Sequence, residues 1–266
     1  MRILSFIIRY GVSVAANLWV SILGLLPRYR EICYEAAYRL GWRERSVVDQ
    51  GLPPLDIPAT TLKALAPDAP AVRILEPDAA NGNVSEWELL SIAQVVAAGK
   101  PKKCFEIGTF DGRTTLNIAA NMAENGHVYT LDLPPQDVER TALTIAHGDE
   151  SFIQKSESGA RFKGSVYADR ITQLWGDSAT FDYAEYEGKM DLVFVDGSHS
   201  YEYVKKDTET ALKLLKPEGG IIFWHDYGSK YWKDLTRAMN ELYGGRPEFS
   251  GMKRIGGTVL VYCEIR

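Results

Sequence analysis

Four ionisable side chains follow two apolar segments in the second half of the sequence. Asp196 and His199 follow the first segment, and His225 and Asp226 follow the second. Because the carboxyl ends of parallel strands form the ligand crevice of an open sheet, we expect these four side chains to converge. Burying four ionisable groups together is unfavourable unless they serve a ligand or a reaction. The alternative is that both histidines are only hydrogen-bonded on loops.

A second feature is the glycine-bearing turn within FEIGTFDGRTT, residues 105–115. Gly108 and Gly112 allow the backbone to approach a ligand closely, and the N-terminus of the following helix offers free amides to an anionic group. The spacing does not match the dinucleotide-binding fingerprint, because Phe110 and Arg113 stand where that fingerprint has its second and third glycines. The segment predicts a small-molecule cradle, and an ordinary tight turn is the alternative.

Acidic residues at two further strand ends favour a nucleoside ligand. Asp132 lies twenty positions after Gly112, where its carboxylate can accept hydrogen bonds from a ribose diol. Asp177 and Ser178 follow another predicted strand and are suited to reach an adenine amino group. Each of these residues would also suit a turn or a helix N-cap, so the evidence for a ligand is their spacing to the glycine turn.

The segments around these residues alternate between strand-like and helix-like patterns. Ser85 and Glu88 form a capping box, which predicts a helix over residues 85–98. The predicted strands are 103–107, 128–131, 171–175, 192–195 and 220–224, and the predicted helices between them are 113–123 and 201–215. This alternation indicates βαβ units around a parallel sheet. Two glycines between residues 249–255 and 258–263 predict a C-terminal hairpin.

Five motifs occur in a fixed order along the chain: EIGTFDG, LDLPP, GDS, FVDGSHSY and WHDY. From about residue 85 to the C-terminus the sequence thereby resembles the class I S-adenosylmethionine (SAM)-dependent methyltransferases. The resemblance implies an α/β fold, a Rossmann-like three-layer sandwich with a mostly parallel, seven-stranded sheet whose last strand is antiparallel. It also implies a set of cofactor-binding residues, namely Glu106, Gly108, Thr109, Asp111, Gly112, Asp132, Leu133, Asp177, Ser178 and Asp196.

The resemblance leaves two alternatives for catalysis. Some related small-molecule O-methyltransferases bind Mg²⁺ at the positions of Asp196 and of the pair His225 and Asp226, which makes Asp196 and Asp226 candidate metal ligands. The imidazole nitrogen of His225 is a poor ligand for Mg²⁺, however. Without a metal, His199 or His225, beside Asp226, would remove a hydroxyl proton as general base, because an imidazole titrates near neutral pH. We favour the metal-free alternative.

The expected reaction is transfer of the SAM methyl group to a hydroxyl group of a small molecule, a sugar or a glycan. The cofactor already activates the methyl group, so the protein mainly positions and deprotonates the acceptor. An NAD-dependent oxidoreductase is one alternative, and a non-catalytic, membrane-associated nucleoside-binding protein is another. Residues 134–168, rich in charge and glycine, are expected to form a mobile cover over the site.

The sequence before residue 80 differs from the rest. Prolines interrupt residues 53–77, so we divide the chain into a helical extension with a proline-rich connector, residues 1–80, and a methyltransferase domain, residues 81–266. Residues 3–26 form a largely apolar predicted helix. Packing on the protein or on a partner in a homo-oligomer is favoured for this helix, contact with a membrane interface is the second alternative, and a membrane span is the third.

Composition narrows the partners and the location. The formal net charge of −5 gives no electrostatic attraction to nucleic acid, so no nucleic-acid partner is expected. The three cysteines show neither zinc-site spacing nor a disulfide framework. Arg9 interrupts the first apolar stretch, which makes a cleaved signal peptide a poor match. These features predict a cytoplasmic protein, membrane-associated if the N-terminal helix binds a membrane.

Overall fold

The computed structural model describes residues 52–68 and 70–266. The predicted N-terminal helix and the three alternatives for residues 3–26 lie outside the described residues. Within the described part, no helix has both the length and the apolar character needed to cross a membrane. The chain from Pro53 to Arg266 forms one compact unit.

The described residues contain an eight-stranded mixed sheet. Its strands are β1 (Ala59–Thr60), β2 (Lys103–Ile107), β3 (His127–Asp132), β4 (Ile171–Trp175), β5 (Leu192–Val195), β6 (Gly220–Trp224), β7 (Lys253–Ile255) and β8 (Val261–Ile265). They lie in the order β1-β7-β8-β6-β5-β2-β3-β4, and β8 runs antiparallel to both of its neighbours. The predicted α/β fold, with a mostly parallel sheet and an antiparallel last strand, is confirmed.

The sheet has one strand more than the seven predicted, because β1 comes from the connector. β1 pairs with β7 in parallel, and the backbone amides of Arg254 and Gly256 donate to the carbonyls of Pro58 and Thr60. A strand of two residues is too short to show the side-chain alternation that identifies strands in a sequence.

Six α-helices are described: α1 (Leu62–Leu65), α2 (Glu86–Gly99), α3 (Arg113–Asn121), α4 (Glu150–Ile153), α5 (Tyr201–Leu214) and α6 (Lys233–Gly245). Three short 3-10 helices span Pro135–Arg140, Ala168–Arg170 and Pro247–Phe249. The capping box at the start of α2 is present as predicted, with Ser85 and Glu88 bonded to each other's backbone amides. α6 has no counterpart among the predicted helices.

Alternate side chains of the central strands belong to two hydrophobic cores, one on each face of the sheet. On β5, Leu192 and Phe194 pack with residues of α2 and α3, whereas Val193 and Val195 pack with residues of α5 and α6. Helices therefore cover both faces, which explains why the central strands are continuously apolar. The result is the predicted three-layer sandwich.

The strand order reverses at the centre of the sheet. β2 pairs with β3 on one side and with β5 on the other. In open α/β sheets such a reversal leaves a crevice beyond the carboxyl ends of the two central strands. The ends of β2 to β6 and the loops that follow them carry the predicted site residues that reach this crevice.

A buried arginine ties the connector to the glycine turn. Arg113 begins α3, is 1% exposed, and donates to the backbone carbonyls of Glu76, Pro77 and Val84. Three carbonyls in a proline-rich stretch without regular structure thereby obtain donors. The predicted boundary between residues 1–80 and residues 81–266 is a statement about which part of the chain folds alone. It stays a prediction.

Replacing Arg113 with leucine should destabilise the protein by about 2–4 kcal/mol, because three carbonyls lose a charged donor. The same substitution at Arg140, whose side chain is 81% exposed, should change the free energy of unfolding by less than about 0.5 kcal/mol. Urea unfolding followed by circular dichroism measures both variants. Equal stability of the two would show that Arg113 does not hold the connector in place.

Candidate active site

A cleft of about 590 Å³ opens at the carboxyl ends of β2, β3, β4, β5 and β6. Residues 81–83, before α2, and a stretch within residues 145–155 complete its walls. The predicted site residues that line it are Gly108, Asp132, Leu133, Asp177, Ser178, Asp196, His199, His225 and Asp226. The structure therefore brings all the predicted catalytic residues together. Glu106, Thr109, Asp111 and Gly112 are not among the lining residues.

Glu106 and Thr109 are buried in the framework that supports the glycine turn. Glu106 accepts hydrogen bonds from the hydroxyls of Thr115 and Thr130, and the Thr109 hydroxyl lies 2.7 Å from that of Thr130. Burial raises the pKa of Glu106 to about 8, although both threonine hydrogen bonds act to lower it. Its carboxyl group is therefore mainly protonated at neutral pH.

Asp111 and Gly112 hold neighbouring loops. The Asp111 carboxylate lies 2.7 Å from Nε of Arg161 and accepts a hydrogen bond from the Asn83 side chain. Gly112 has φ +85°, and a Cβ atom there would lie 2.5 Å from the Phe162 ring. These contacts give both residues a structural role, and their predicted contact with the cofactor stays a prediction.

Backbone conformations that are unfavourable for most residues occur at the cleft. Gly108 has φ +96°, and a Cβ atom there would lie 1.9 Å from the carbonyl oxygen of Asp196, so the ends of β2 and β5 can approach this closely only with glycine. Phe110 and Asp226 line the cleft with φ +49° and +65°. Such conformations cost roughly 1–2 kcal/mol for residues other than glycine, and strain of this kind is concentrated at functional sites.

Asp132, at the end of β3, forms an ion pair with Lys155. Nζ of Lys155 lies 2.7 Å from Oδ2 of Asp132, and the two side chains are 10% and 9% exposed. Lys155 also donates to the carbonyl of Phe152 at 3.2 Å. Oδ2 of Asp132 is buried. Lys155 thus covers one of the two oxygens that a ribose diol would use.

Asp177 holds the segment that follows β3. Its Oδ2 accepts a hydrogen bond from the backbone amide of Ala142 at 2.7 Å, and its Oδ1 accepts from the Tyr203 hydroxyl at 2.7 Å. Tyr203 and Ser178 line the cleft beside it. The carboxylate predicted to lie near adenine therefore also fixes part of residues 134–168. The mobility expected for those residues stays a prediction.

His225, which follows β6, lies among three carboxylates. Nδ1 is 3.2 Å from Oδ1 of Asp196 and 3.1 Å from Oδ2 of Asp226, and Nε2 is 3.4 Å from Oε2 of Glu88. Burial acts to lower the pKa of His225, but the charges of Asp226 and Asp196 raise it well above the usual value. The carboxylates therefore favour the protonated imidazole, and both of its nitrogens are engaged.

Glu88 connects the start of α2 to this cluster. One carboxylate oxygen accepts from the Val259 amide at 2.8 Å, and the other accepts from the Ser85 amide at 2.7 Å and faces His225. Burial alone would raise the pKa of Glu88, but the hydrogen bond and charge of His225, helped by the two amides, lower it to about 2. Glu88 is therefore ionised although it is buried.

His199 lies between two further carboxylates. Nδ1 is 2.6 Å from Oδ1 of Asp149, and Nε2 is 2.9 Å from Oδ2 of Asp226. The ring of Trp232 stacks on the imidazole, with 4.1 Å between centroids and 9° between planes. Burial acts to lower the pKa of His199, but hydrogen bonds to Asp149 and Asp226 raise it to about 9.

The cluster also contains a set of donors that a metal ion would accept. Asp196, His225 and Asp226 each offer one ligand atom, and these atoms lie within 4.8 Å of one another. Two carboxylate oxygens with one imidazole nitrogen suit a divalent transition metal better than Mg²⁺. Glu88, on the other ring nitrogen, matches the carboxylate that commonly supports a metal-bound histidine. The positive charge of His225 holds the same carboxylates together without a metal.

Several residues that contact the predicted set were not predicted to be site residues, namely Glu88, Asp149, Lys155, Tyr203 and Trp232. The capping box already accounts for the position of Glu88 in the sequence. Asp149 and Lys155 belong to the stretch predicted as a cover, and no spacing rule relates Asp149 to His199, fifty positions later.

Glu88→Gln should lower stability at pH 7 by about 2–3 kcal/mol, because it removes the buried charge that His225 faces. The pKa of Glu88 is lower in the folded protein than in the unfolded chain, so its contribution is present above pH 4.5 and is lost as the pH falls toward about 2. The difference from the wild type should shrink over that range, as measured by urea unfolding. Glu86→Gln, an exposed change in the same helical turn, is the control. A difference that does not change with pH would contradict this prediction.

Comparisons with known proteins agree with this fold. Residues 105–227 match a family model described as a methyltransferase domain. A solved SAH-bound methyltransferase from Podospora anserina is 18% identical, with a TM-score of 0.53 over 87% of this chain and 96% of that chain. A search of curated proteins found no match.

Two further solved structures are O-methyltransferases. One, from Bacillus cereus and in complex with SAH, is 18% identical, with a TM-score of 0.48 over 84% of this chain and 96% of that chain. The other, from Streptomyces achromogenes and in complex with SAM, is 16% identical, with a TM-score of 0.49 over 80% of this chain and 93% of that chain. Residues 105–227 thus match the methyltransferase-domain family, and the solved methyltransferase with the TM-score of 0.53 shares the fold of this chain.

Proposed function

We propose that this protein transfers the methyl group of SAM to a hydroxyl group of a small acceptor, a free sugar or natural product, or a glycan. The observation that carries the proposal is one continuous cleft that joins Asp132, at the predicted ribose position, to the pair His199 and Asp226. Its volume of about 590 Å³ is within the range of small-molecule sites, roughly 300–1,000 Å³.

In this proposal the cofactor lies across the ends of β2, β3 and β5. Asp132 accepts hydrogen bonds from the ribose, Gly108 lies beside the methionine part, and Asp177 with Ser178 lies near adenine. The cofactor supplies a methyl group activated by its positively charged sulfur. The observation that supports this arrangement is that these residues line the same cleft. The observation against it is that Lys155 covers one oxygen of Asp132.

Asp132→Asn should weaken the binding of S-adenosylhomocysteine (SAH) roughly 30-fold to 1,000-fold, because the hydrogen bonds of the ribose lose a charged acceptor. Lys155→Met should act in the opposite direction, since it frees Oδ2 of Asp132 for the second ribose hydroxyl. Isothermal titration calorimetry with SAH measures both, and Asp137→Asn, in the 3-10 helix that follows β3 and not among the lining residues, is the control.

Unchanged SAH affinity in Asp132→Asn would remove Asp132 from the cofactor site. NAD should show no binding when it is titrated into the protein by isothermal titration calorimetry. Tight binding of NAD would instead support an oxidoreductase.

We propose that His199, rather than His225, removes the proton from the hydroxyl group that is methylated. Both histidines line the cleft, but His225 faces three carboxylates, Glu88, Asp196 and Asp226, whereas His199 faces two, Asp149 and Asp226. As the acceptor oxygen bonds to the methyl carbon, the bond from that carbon to sulfur breaks and the hydroxyl proton passes to Nε2. Because His199 must be neutral to accept it, the rate should rise with pH up to about 9.

A divalent metal at Asp196, His225 and Asp226 is the second candidate for activating the acceptor. The observation that favours it is that these three residues each offer one ligand atom in a single cluster. There it would polarise the acceptor oxygen and favour loss of its proton. We favour the metal-free alternative because the His225 imidazolium already supplies positive charge between the two carboxylates. A cytoplasmic location, membrane contact through residues 3–26 and homo-oligomerisation stay predictions.

The test is transfer of a radiolabelled methyl group from SAM to a panel of probes that includes 3,4-dihydroxybenzoate, methyl glucoside and a short oligosaccharide. Turnover of a probe should persist in EDTA, and His199→Ala should reduce it by about 10²-fold to 10⁴-fold while SAH affinity is retained. Loss of turnover in EDTA, restored by Mg²⁺ or Mn²⁺, would instead assign activation to a metal. Binding of SAH without turnover of any probe would favour the non-catalytic alternative.

A further inference from the structure

Asp149 is a buried carboxylate that was not among the predicted site residues. It is 4% exposed, and four groups donate to it or share a proton with it. Its Oδ2 accepts from the Ser198 hydroxyl at 2.6 Å and from the backbone amides of His199 and Ala146 at 3.1 Å each. Its Oδ1 lies 2.6 Å from Nδ1 of His199. Both oxygens are therefore directed to the loop that carries His199.

The ordinary explanation for an aspartate at this position is helix capping, and the contacts do not support it. Asp149 directly precedes α4, but its side chain makes no capping hydrogen bond to that helix. Its φ and ψ of −61° and −30° are helical rather than the extended conformation of an N-cap. The side chain is instead used on the loop after β5, fifty positions away.

The other contacts of His199 leave its ring one orientation. Trp232 stacks on the imidazole and fixes the plane of the ring. Asp149 on Nδ1 and Asp226 on Nε2 then fix the rotation within that plane. Asp149, which precedes α4, comes before His199 in the sequence, and Trp232, which precedes α6, comes after it. A cover that served only to exclude water would not need a buried carboxylate aimed at the ring.

We propose that Asp149 is a positioning residue: it holds the proton of His199 on Nδ1 and so directs Nε2 to Asp226 and the cleft. This inference rests on the proposed role of His199 as proton acceptor. A neutral imidazole carries its proton on one nitrogen alone, and Asp149, 2.6 Å from Nδ1, is closer than Asp226, 2.9 Å from Nε2, so the shorter contact favours the tautomer whose Nε2 can accept a proton. Residues 145–155 therefore contribute to the active site itself.

The first measurement is a proton NMR spectrum of the whole protein. An imidazole Nδ1 proton shared with a carboxylate at 2.6 Å should give a resonance far downfield of the amide region. The resonance should be lost in His199→Gln, which assigns it, and in Asp149→Asn. The resonance should remain in Asp137→Asn, the same change at another aspartate within residues 134–168. A resonance that survives Asp149→Asn would overturn the proposal.

The second measurement separates positioning from folding. Asp149→Asn should lower kcat for methylation of the probe by about 10²-fold or more, with KM for SAM and SAH affinity within about threefold of the wild type. Asp149→Glu should restore part of kcat, because it returns a carboxylate. An unchanged kcat in Asp149→Asn, or an equal loss in Asp149→Asn and Asp149→Glu, would overturn the proposal.

Ser198→Ala provides a variant that leaves both charges and His199 in place. It removes one donor to Oδ2 of Asp149, so it should lower kcat by a smaller factor and retain the downfield resonance. If no probe is methylated by the wild type, the proposed function fails, and the resonance alone still decides whether Asp149 fixes the proton on Nδ1.

Discussion

Pairing of buried charges is the constraint on which the rest of the site depends. Carboxylates and imidazoles alternate along one chain of contacts, from Asp149 through His199, Asp226 and His225 to Glu88, with Asp196 also facing His225. A buried charge without a partner is costly, and removing one member of such a pair leaves the other unpaired. Each group is therefore held by the next, which gives a fixed arrangement of polar groups in the cleft.

This chain of contacts also explains local features of the backbone. Asp226 has φ +65°, and its carboxylate lies near both His199 and His225, so two contacts with cationic groups offset the strain. Gly108 lets β2 and β5 approach closely, which brings Asp196 beside the glycine turn. The parallel sheet brings the strand ends together, and the charged contacts determine how the loops beyond them are arranged.

Sequence predicted the parts that follow from position within an element. Asp132, Asp196 and His225 each end a strand or follow one, so strand periodicity and the parallel order were enough to place them at the cleft. The contacts from Glu88 to His225 and from Asp149 to His199 join residues 137 and 50 positions apart. They depend on the paths of loops, which no periodicity encodes, and the capping box gave Glu88 a sufficient explanation of its own.

Residues 145–155 hold the two ends of the cleft by contacts of opposite polarity. Lys155 brings a cation to the carboxylate of Asp132, and Asp149 brings a carboxylate to the imidazole of His199. α4, only four residues long, separates the two contacts. A shift of the segment in one direction would bring Asp149 toward Asp132, and a shift in the other would bring Lys155 toward His199, so each direction brings two like charges together. Electrostatics therefore selects one register for a segment that has little regular structure of its own.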